Sequence, residues 1–130
     1  MQTVQKKAYL EAKRYIDNAR KILSSSAGKE GEYYTDPKYV KMACNTAYTG
    51  ILVAIDKAYN VKKGKTLRPD VDTYRKVIGG ENRKMLNNFN SAYNYLHLLG
   101  GYDGDLNVNT SQTGLQLADT LIEWLKPKIA

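Results

Sequence analysis

The chain has 130 residues, 42% hydrophobic and 25% charged, and a formal net charge of +7. That is long enough to bury a real core, and residues 1–130 read as one domain. No apolar run reaches the ~18 residues of a membrane span, and "MQTVQKKAYLEAKR" lacks the apolar stretch of a leader peptide. One cysteine, Cys44, excludes an internal disulfide, so the expected location is the cytoplasm.

Apolar spacing is helical almost throughout. The first helix is expected from about Thr3 to Ser25, with Ala8, Ala12, Tyr15, Ala19 and Ile22 as its stripe, widened by Ile16 and Leu23. The segment "SSSAGKEGE" breaks it. Tyr33 and Tyr34 then act as a lid or as a hydrophobic staple for the next helix. That helix starts at "TDPKYV", with Asp36 as N-cap and Pro37 in the first turn, and runs to about Tyr59. Its two apolar faces make it the most buried element. A row of small residues, Ala43, Ala47, Gly50 and Ala54, predicts a neighbouring helix packed unusually close. Glycine inside a helix costs about 1 kcal/mol relative to alanine, and close packing would offset it.

A loop, "NVKKGKTLRPDVD", leads to a short helix opened by Pro69, running to about Ile78 and ended by Gly79–Gly80. The next helix is expected over about Glu81 to Leu99, with Met85, Phe89, Ala92, Leu96 and Leu99 inward. Gly100 and Gly101 would end it in left-handed conformations. The last helix opens near Asn109 or Thr110, with Gln112 placed for a capping box, and Pro127 helps to stop it. The predicted fold is therefore all-α: an antiparallel four-helix bundle with one additional short helix in the crossover.

Charge is unevenly spread. Nine basic residues lie between Asp56 and Lys84, whereas Met85 to Leu125 has no lysine or arginine. A basic region thus precedes an acidic C-terminal hairpin, a dipole able to attract an anionic partner or orient self-association. Lys62, Lys63, Lys65 and Arg68 are the expected phosphate contacts. Eleven tyrosines against one phenylalanine and one tryptophan suit half-wet bundle boundaries, and equally base stacking.

Most catalytic chemistries find no support. "GKT" at Gly64–Thr66 has Tyr59 where a phosphate-binding loop needs glycine, and no strand precedes it. Asp103 to Gly114 resembles a calcium loop at its first, third and fifth positions. Val108 replaces the required glycine and Gly114 the bidentate glutamate, so these residues read better as helix caps. One cysteine and one histidine are too few soft ligands for zinc, so no metal and no cofactor is expected. Cys44 lies on a buried stripe, which leaves a Cys44–His97 nucleophile pair weak. One pattern remains. Asn87, Asn90, Asn94 and His97 recur at helical steps as a polar stripe, flanked by Arg83 and Gly101. His97 falls about 120° from the middle of the core face, at the bundle edge. The stripe reads as a ligand or interface surface.

The helix order, "YYTDPKYVKMACNTAYTGILVAID" and "NSAYNYLHLLGGYDG" together resemble a bacterial domain family of unknown function. That family is similar to the HEPN superfamily and to the helical C-terminal domains of nucleotidyltransferases. The resemblance covers most of the chain. It implies a four-to-five-helix bundle, homodimers, and association with RNA or with a nucleotidyltransferase-type protein partner. Active HEPN ribonucleases carry an R-x4–6-H motif. His97 matches its histidine, but the arginine positions hold Asn90, Ser91 and Ala92. Arg83 lies about 21 Å away along a helix and cannot substitute locally. The expected protein is therefore a non-enzymatic, dimeric binding bundle that contacts nucleotide or RNA. The alternatives are a weak ribonuclease using His97 across a dimer, and an accessory subunit of a toxin–antitoxin or nucleotidyltransferase system.

Overall fold

Among the described residues, five α-helices and one π-helical segment carry most of the structure. The computed structural model describes residues 2–61 and 69–130, with side chains from Lys7 onward. α1 spans Gln2–Ser26 and leads into a two-stranded antiparallel hairpin, β1 (Lys29–Glu30) and β2 (Tyr33–Tyr34). α2 is Pro37–Tyr59, α3 is Val71–Glu81 and α4 is Arg83–Ala92. The chain continues from α4 as a π-helix over Tyr93–Tyr102, and α5 covers Val108–Ile129. Among the described residues no helix is long and apolar enough to cross a membrane.

α2 is the hub, as its two apolar faces require. It packs against α1, α5 and the π-segment, and Val40, Ala47, Ile51, Ala54 and Ile55 are fully buried along it. Each such valine or isoleucine contributes about 1.5–3 kcal/mol relative to exposure. The helix starts where expected: Asp36 is extended, and its Oδ1 accepts from the Lys38 amide at 3.0 Å. The close approach implied by the small residues is to α1. A Cβ on Gly50 would stand 2.7 Å from Tyr15 Cβ and 3.2 Å from the Ala12 carbonyl oxygen. To permit this, the α1 stripe is turned by one residue from the expected one. Ala8, Ala12, Ile16, Ala19 and Leu23 are buried, while Tyr15 and Ile22 sit at the edge.

Long-range pairs give the helix directions. Tyr9 meets Glu123 and Arg20 meets Asp119 between α1 and α5, and Gly114 faces Leu96 between α5 and the π-segment. These are the antiparallel contacts of a bundle, with α3 as the short extra helix. Tyr34 is buried at its base, its hydroxyl accepting from Gln112 Nε2 at 3.3 Å, while Tyr33 is 55% exposed. The pair therefore splits between core and surface. Gln112 serves Tyr34 in place of the expected capping box.

Several boundaries differ from expectation. α3 opens at Val71 behind an Asp70 cap, two residues after Pro69, and α4 opens at Arg83 rather than Glu81. Gly79 and Gly80 do not end α3, which runs on to Glu81. Asn82 closes it, its amide donating to the Ile78 carbonyl, and Asn82 Oδ1 then accepts from the Met85 amide to open α4. α5 starts one to two residues early, at Val108, because Asn107 caps it through the Asn109 amide at 2.9 Å. Pro127 lies inside the last turn of α5 without stopping it, and Ile129 beyond it is fully buried.

Candidate functional site

The fourth helix is not α-helical to its end. From Tyr93 the backbone shifts to i→i+5 bonding, as in Asp103 N–H to the Leu98 carbonyl at 3.0 Å. π-turns are rare and frequently mark functional sites. Gly100 and Gly101 have no left-handed dihedrals, contrary to expectation, because the helix continues through them; Gly104 takes that role at φ +68°. Their smallness serves contact instead. A Cβ on Gly100 would lie 2.3 Å from Cys44 Sγ, and one on Gly101 2.3 Å from Asn45 Oδ1. The π-segment therefore lies directly on α2.

That contact turns His97 inward relative to its expected place. Its ring lies 4.9 Å from Tyr48 of α2 and 5.0 Å from Tyr93, centroid to centroid. Tyr48 and Tyr93 meet edge-on at 5.9 Å. His97 is half-buried, and its Nδ1 is enclosed without a hydrogen-bond partner among the described residues. Leaving such a group unpaired costs about 1–3 kcal/mol, which singles this ring out from a packing residue.

α3 supplies the charge. Tyr74 is buried and its hydroxyl donates to Asp56 of α2 at 2.9 Å, which fixes the helix against the hub. The next residue, Arg75, places its guanidinium 5.1 Å from the centroid of Tyr93. Arg75 Nε donates to Asn90 Oδ1 at 2.8 Å, and Nη1 donates to Asp72 Oδ1 at 2.8 Å. The pairs are partly exposed and so add little stability, but they hold the guanidinium in one place. Arg75 also lines a shallow groove of about 450 Å³ with Asp72, Lys76, Gly79 and Leu86. The result is a ladder of Tyr48, His97, Tyr93 and Arg75, with Asn90 beside its cationic end.

The predicted stripe is only partly assembled. Asn90 and His97 join the ladder; Asn87 and Asn94 are solvent-exposed beside it. Lys62, Lys63, Lys65 and Arg68, together with the GKT segment, lie outside the described residues. Arg75, Tyr48 and Tyr93 escaped the sequence reading. Arg75 was visible only as one of nine basic residues, and α-helical spacing misplaces whatever follows Tyr93. Cys44 is a core residue as expected, and burial pushes its thiol up to about 12. It stays protonated and inert at neutral pH.

The acidic C-terminal side is less open than its sequence implied. Asp119 pairs with Lys13 at 3.5 Å and with Arg20 at 2.7 Å, and Glu123 accepts from Tyr9 at 2.5 Å. Asp105 Oδ1 accepts from the Asn107 amide, and its Oδ2 from the Thr110 hydroxyl. These carboxylates cap helices and seal the α1–α5 seam. Among the described residues no group of three or more potential ligands is placed to hold a metal ion.

Comparison with known proteins places the chain. A family model described as "Domain of unknown function (DUF5618)" matches residues 7–127. The chain belongs to the DUF5618 family. The bundle is also similar to a solved structure, a protein of unknown function from Dyadobacter fermentans. The two are 40% identical with a TM-score of 0.87, over 97% of this chain and 98% of that one. No curated protein matches.

Proposed function

We propose that this DUF5618 chain is a HEPN-like bundle that acts by binding rather than catalysis, and that the Tyr48–His97–Tyr93–Arg75 ladder receives nucleotides of single-stranded RNA. The observation that carries this is the guanidinium held 5.1 Å over Tyr93, whose ring is tilted 34° against that of His97. Aromatic faces stack bases without needing a particular sequence, at about 1–3 kcal/mol per base. A positioned arginine beside them meets the phosphate or a base edge. Asn90 supplies an amide at the same edge. The chain pairs with a second copy, for which exposed Met42, Leu98 and Tyr102 offer apolar surface.

The test is fluorescence anisotropy of a labelled single-stranded RNA across a salt series, with light scattering to count subunits. Wild type binds with a steep salt slope, and Tyr93→Leu or Arg75→Gln weakens binding by about tenfold. Lys62→Glu with Lys63→Glu flattens the slope if the loop lysines meet phosphates. Absence of binding at low salt, or binding untouched by both ladder variants, overturns this reading in favour of a protein partner of the nucleotidyltransferase type.

A second reading is favoured by one contact. Asn90 stands seven residues before His97, at an arginine position of the R-x4–6-H spacing, and Arg75 Nε lies 2.8 Å from its Oδ1. A guanidinium from α3 is thus hydrogen-bonded to the residue at that position. A ribonuclease could use it to stabilise transition-state charge while His97 moves a proton. RNA cleavage lost in both His97→Ala and Arg75→Gln supports that activity; equal cleavage by His97→Ala eliminates it.

A further inference from the structure

A second concavity lies away from the ladder, where the last turns of α1 meet the hairpin and the start of α5. It encloses about 520 Å³, within the range that holds small ligands. Arg20, Lys21 and Ser24 line it from α1, Lys29 from β1, Tyr34 from β2 and Gln112 from α5. Three cations and no carboxylate are in that lining. Arg20 is fixed by Asp119 at 2.7 Å through Nη2 alone, and that carboxylate is shared with Lys13. Lys21 and Lys29 make no ion pair among the described residues.

The helix dipole does not account for these charges. Cations favour the last turn of a helix, yet the last turn of α1 carries none. Two lysines from two elements, unpaired among the described residues, thus converge on one concavity beside an arginine whose carboxylate partner is shared with Lys13, an arrangement that an entering anion stabilises. Neutral hydrogen-bonding groups complete the wall: the Ser24 hydroxyl, the Gln112 amide and the Tyr34 hydroxyl that accepts from it. Leu23 supplies an apolar patch.

We infer that this groove is a binding site for a small molecule bearing a multiply charged phosphate group, held by Arg20, Lys21 and Lys29. Arginine offers the fixed fork and the lysines mobile point charges, a combination suited to several phosphate oxygens. The site is built from residues separate from the ladder and stands or falls apart from it.

Isothermal titration calorimetry with inorganic pyrophosphate and with inorganic tripolyphosphate, neither of which has a base for the ladder to stack, tests the inference at about 50 mM salt. Both are expected to bind once per chain, and Lys21→Gln with Lys29→Gln to weaken both by about tenfold or more. Those two side chains are exposed, so an unchanged circular dichroism melt is expected beside the loss. In the amide NMR spectrum the Gly28 and Lys29 signals should move on titration. Arg75→Gln should leave the affinity unaltered. Failure of wild type to bind either probe overturns the site. So does full affinity in the double variant, or loss of affinity in Arg75→Gln, since each would place the anion elsewhere.

Discussion

Asn45 donates its side-chain amide to the main-chain carbonyl of Gly101 at 3.1 Å, tying the middle of the hub helix to the π-segment. The two residues are 56 apart in sequence. The bond sits where the glycine lets the backbones approach most closely, one turn beyond His97. It therefore helps to hold the register that brings His97 against Tyr48.

Replacing that amide tests the tie. Asn45→Leu keeps the bulk but removes the donor, and Asn45 is exposed enough for water to reach the freed carbonyl. The expected loss is about 0.5–1.5 kcal/mol in urea denaturation. Weaker amide-exchange protection should appear in the π-segment before it appears in α1.

Two glycine substitutions should have opposite signs. Gly80 in α3 has no neighbouring atom within 4 Å of an added Cβ, so Gly80→Ala gains about 0.5–1 kcal/mol from reduced chain entropy. The same methyl at Gly100 meets Cys44 Sγ at 2.3 Å and Cys44 Cβ at 2.8 Å. Overpacking of that kind costs about 1–3 kcal/mol, which outweighs the helix gain. Denaturant midpoints of the two variants on either side of wild type would establish this.

Cys44 should resist thiol reagents while the chain is folded. It is 1% exposed and its thiol is pushed up to about 12 by burial, with a smaller contribution from Asp105. At neutral pH, modification by a chromogenic disulfide should be slow and accelerate with added urea, tracking the opening of the fold. Rapid reaction of the native protein would contradict the packing of Gly100 on Cys44.

Alkaline pH should expose the α1–α5 seam. The Tyr9 phenol is raised to about 12, chiefly because it donates to Glu123, then by burial and by the charges of Glu123 and Asp119. Its folded value lies above the ordinary 10, so the fold favours the protonated phenol. The resulting stability is complete below pH 10 and is lost as pH rises through 12. Stability measured over that window should fall more steeply in wild type than in Tyr9→Phe, and the 295 nm titration of the variant should lack one late-ionising phenol.

Helix existence, the central place of α2 and the burial of Cys44 were all legible in the residues, because they follow from local spacing. Asp36 before Pro37 located a helix start, and the row from Ala43 to Ala54 announced a close neighbour without saying which helix it was. The π-segment was not legible. "YNYLHLLGG" satisfies α-helical spacing on its own. The wider turn is held by Asn45 and accommodated by glycines packed on Cys44 and Asn45, which belong to another helix. Every angular position after Tyr93 shifts with it, which moves His97, while Asn90 is drawn from the stripe by Arg75 of α3.

What the sequence by itself determined is therefore an all-α bundle, its hub, the start of α2 and the presence of a lone histidine near one edge. Periodicity and capping are properties of neighbouring residues, and they can be read along the chain. Only the tertiary structure decided that Arg75 stands over Tyr93, that His97 turns to Tyr48, and that Asp119 and Glu123 spend their charge on α1. Those contacts join residues that lie far apart in the chain, and no local pattern encodes which surfaces the packing of α2 will bring together.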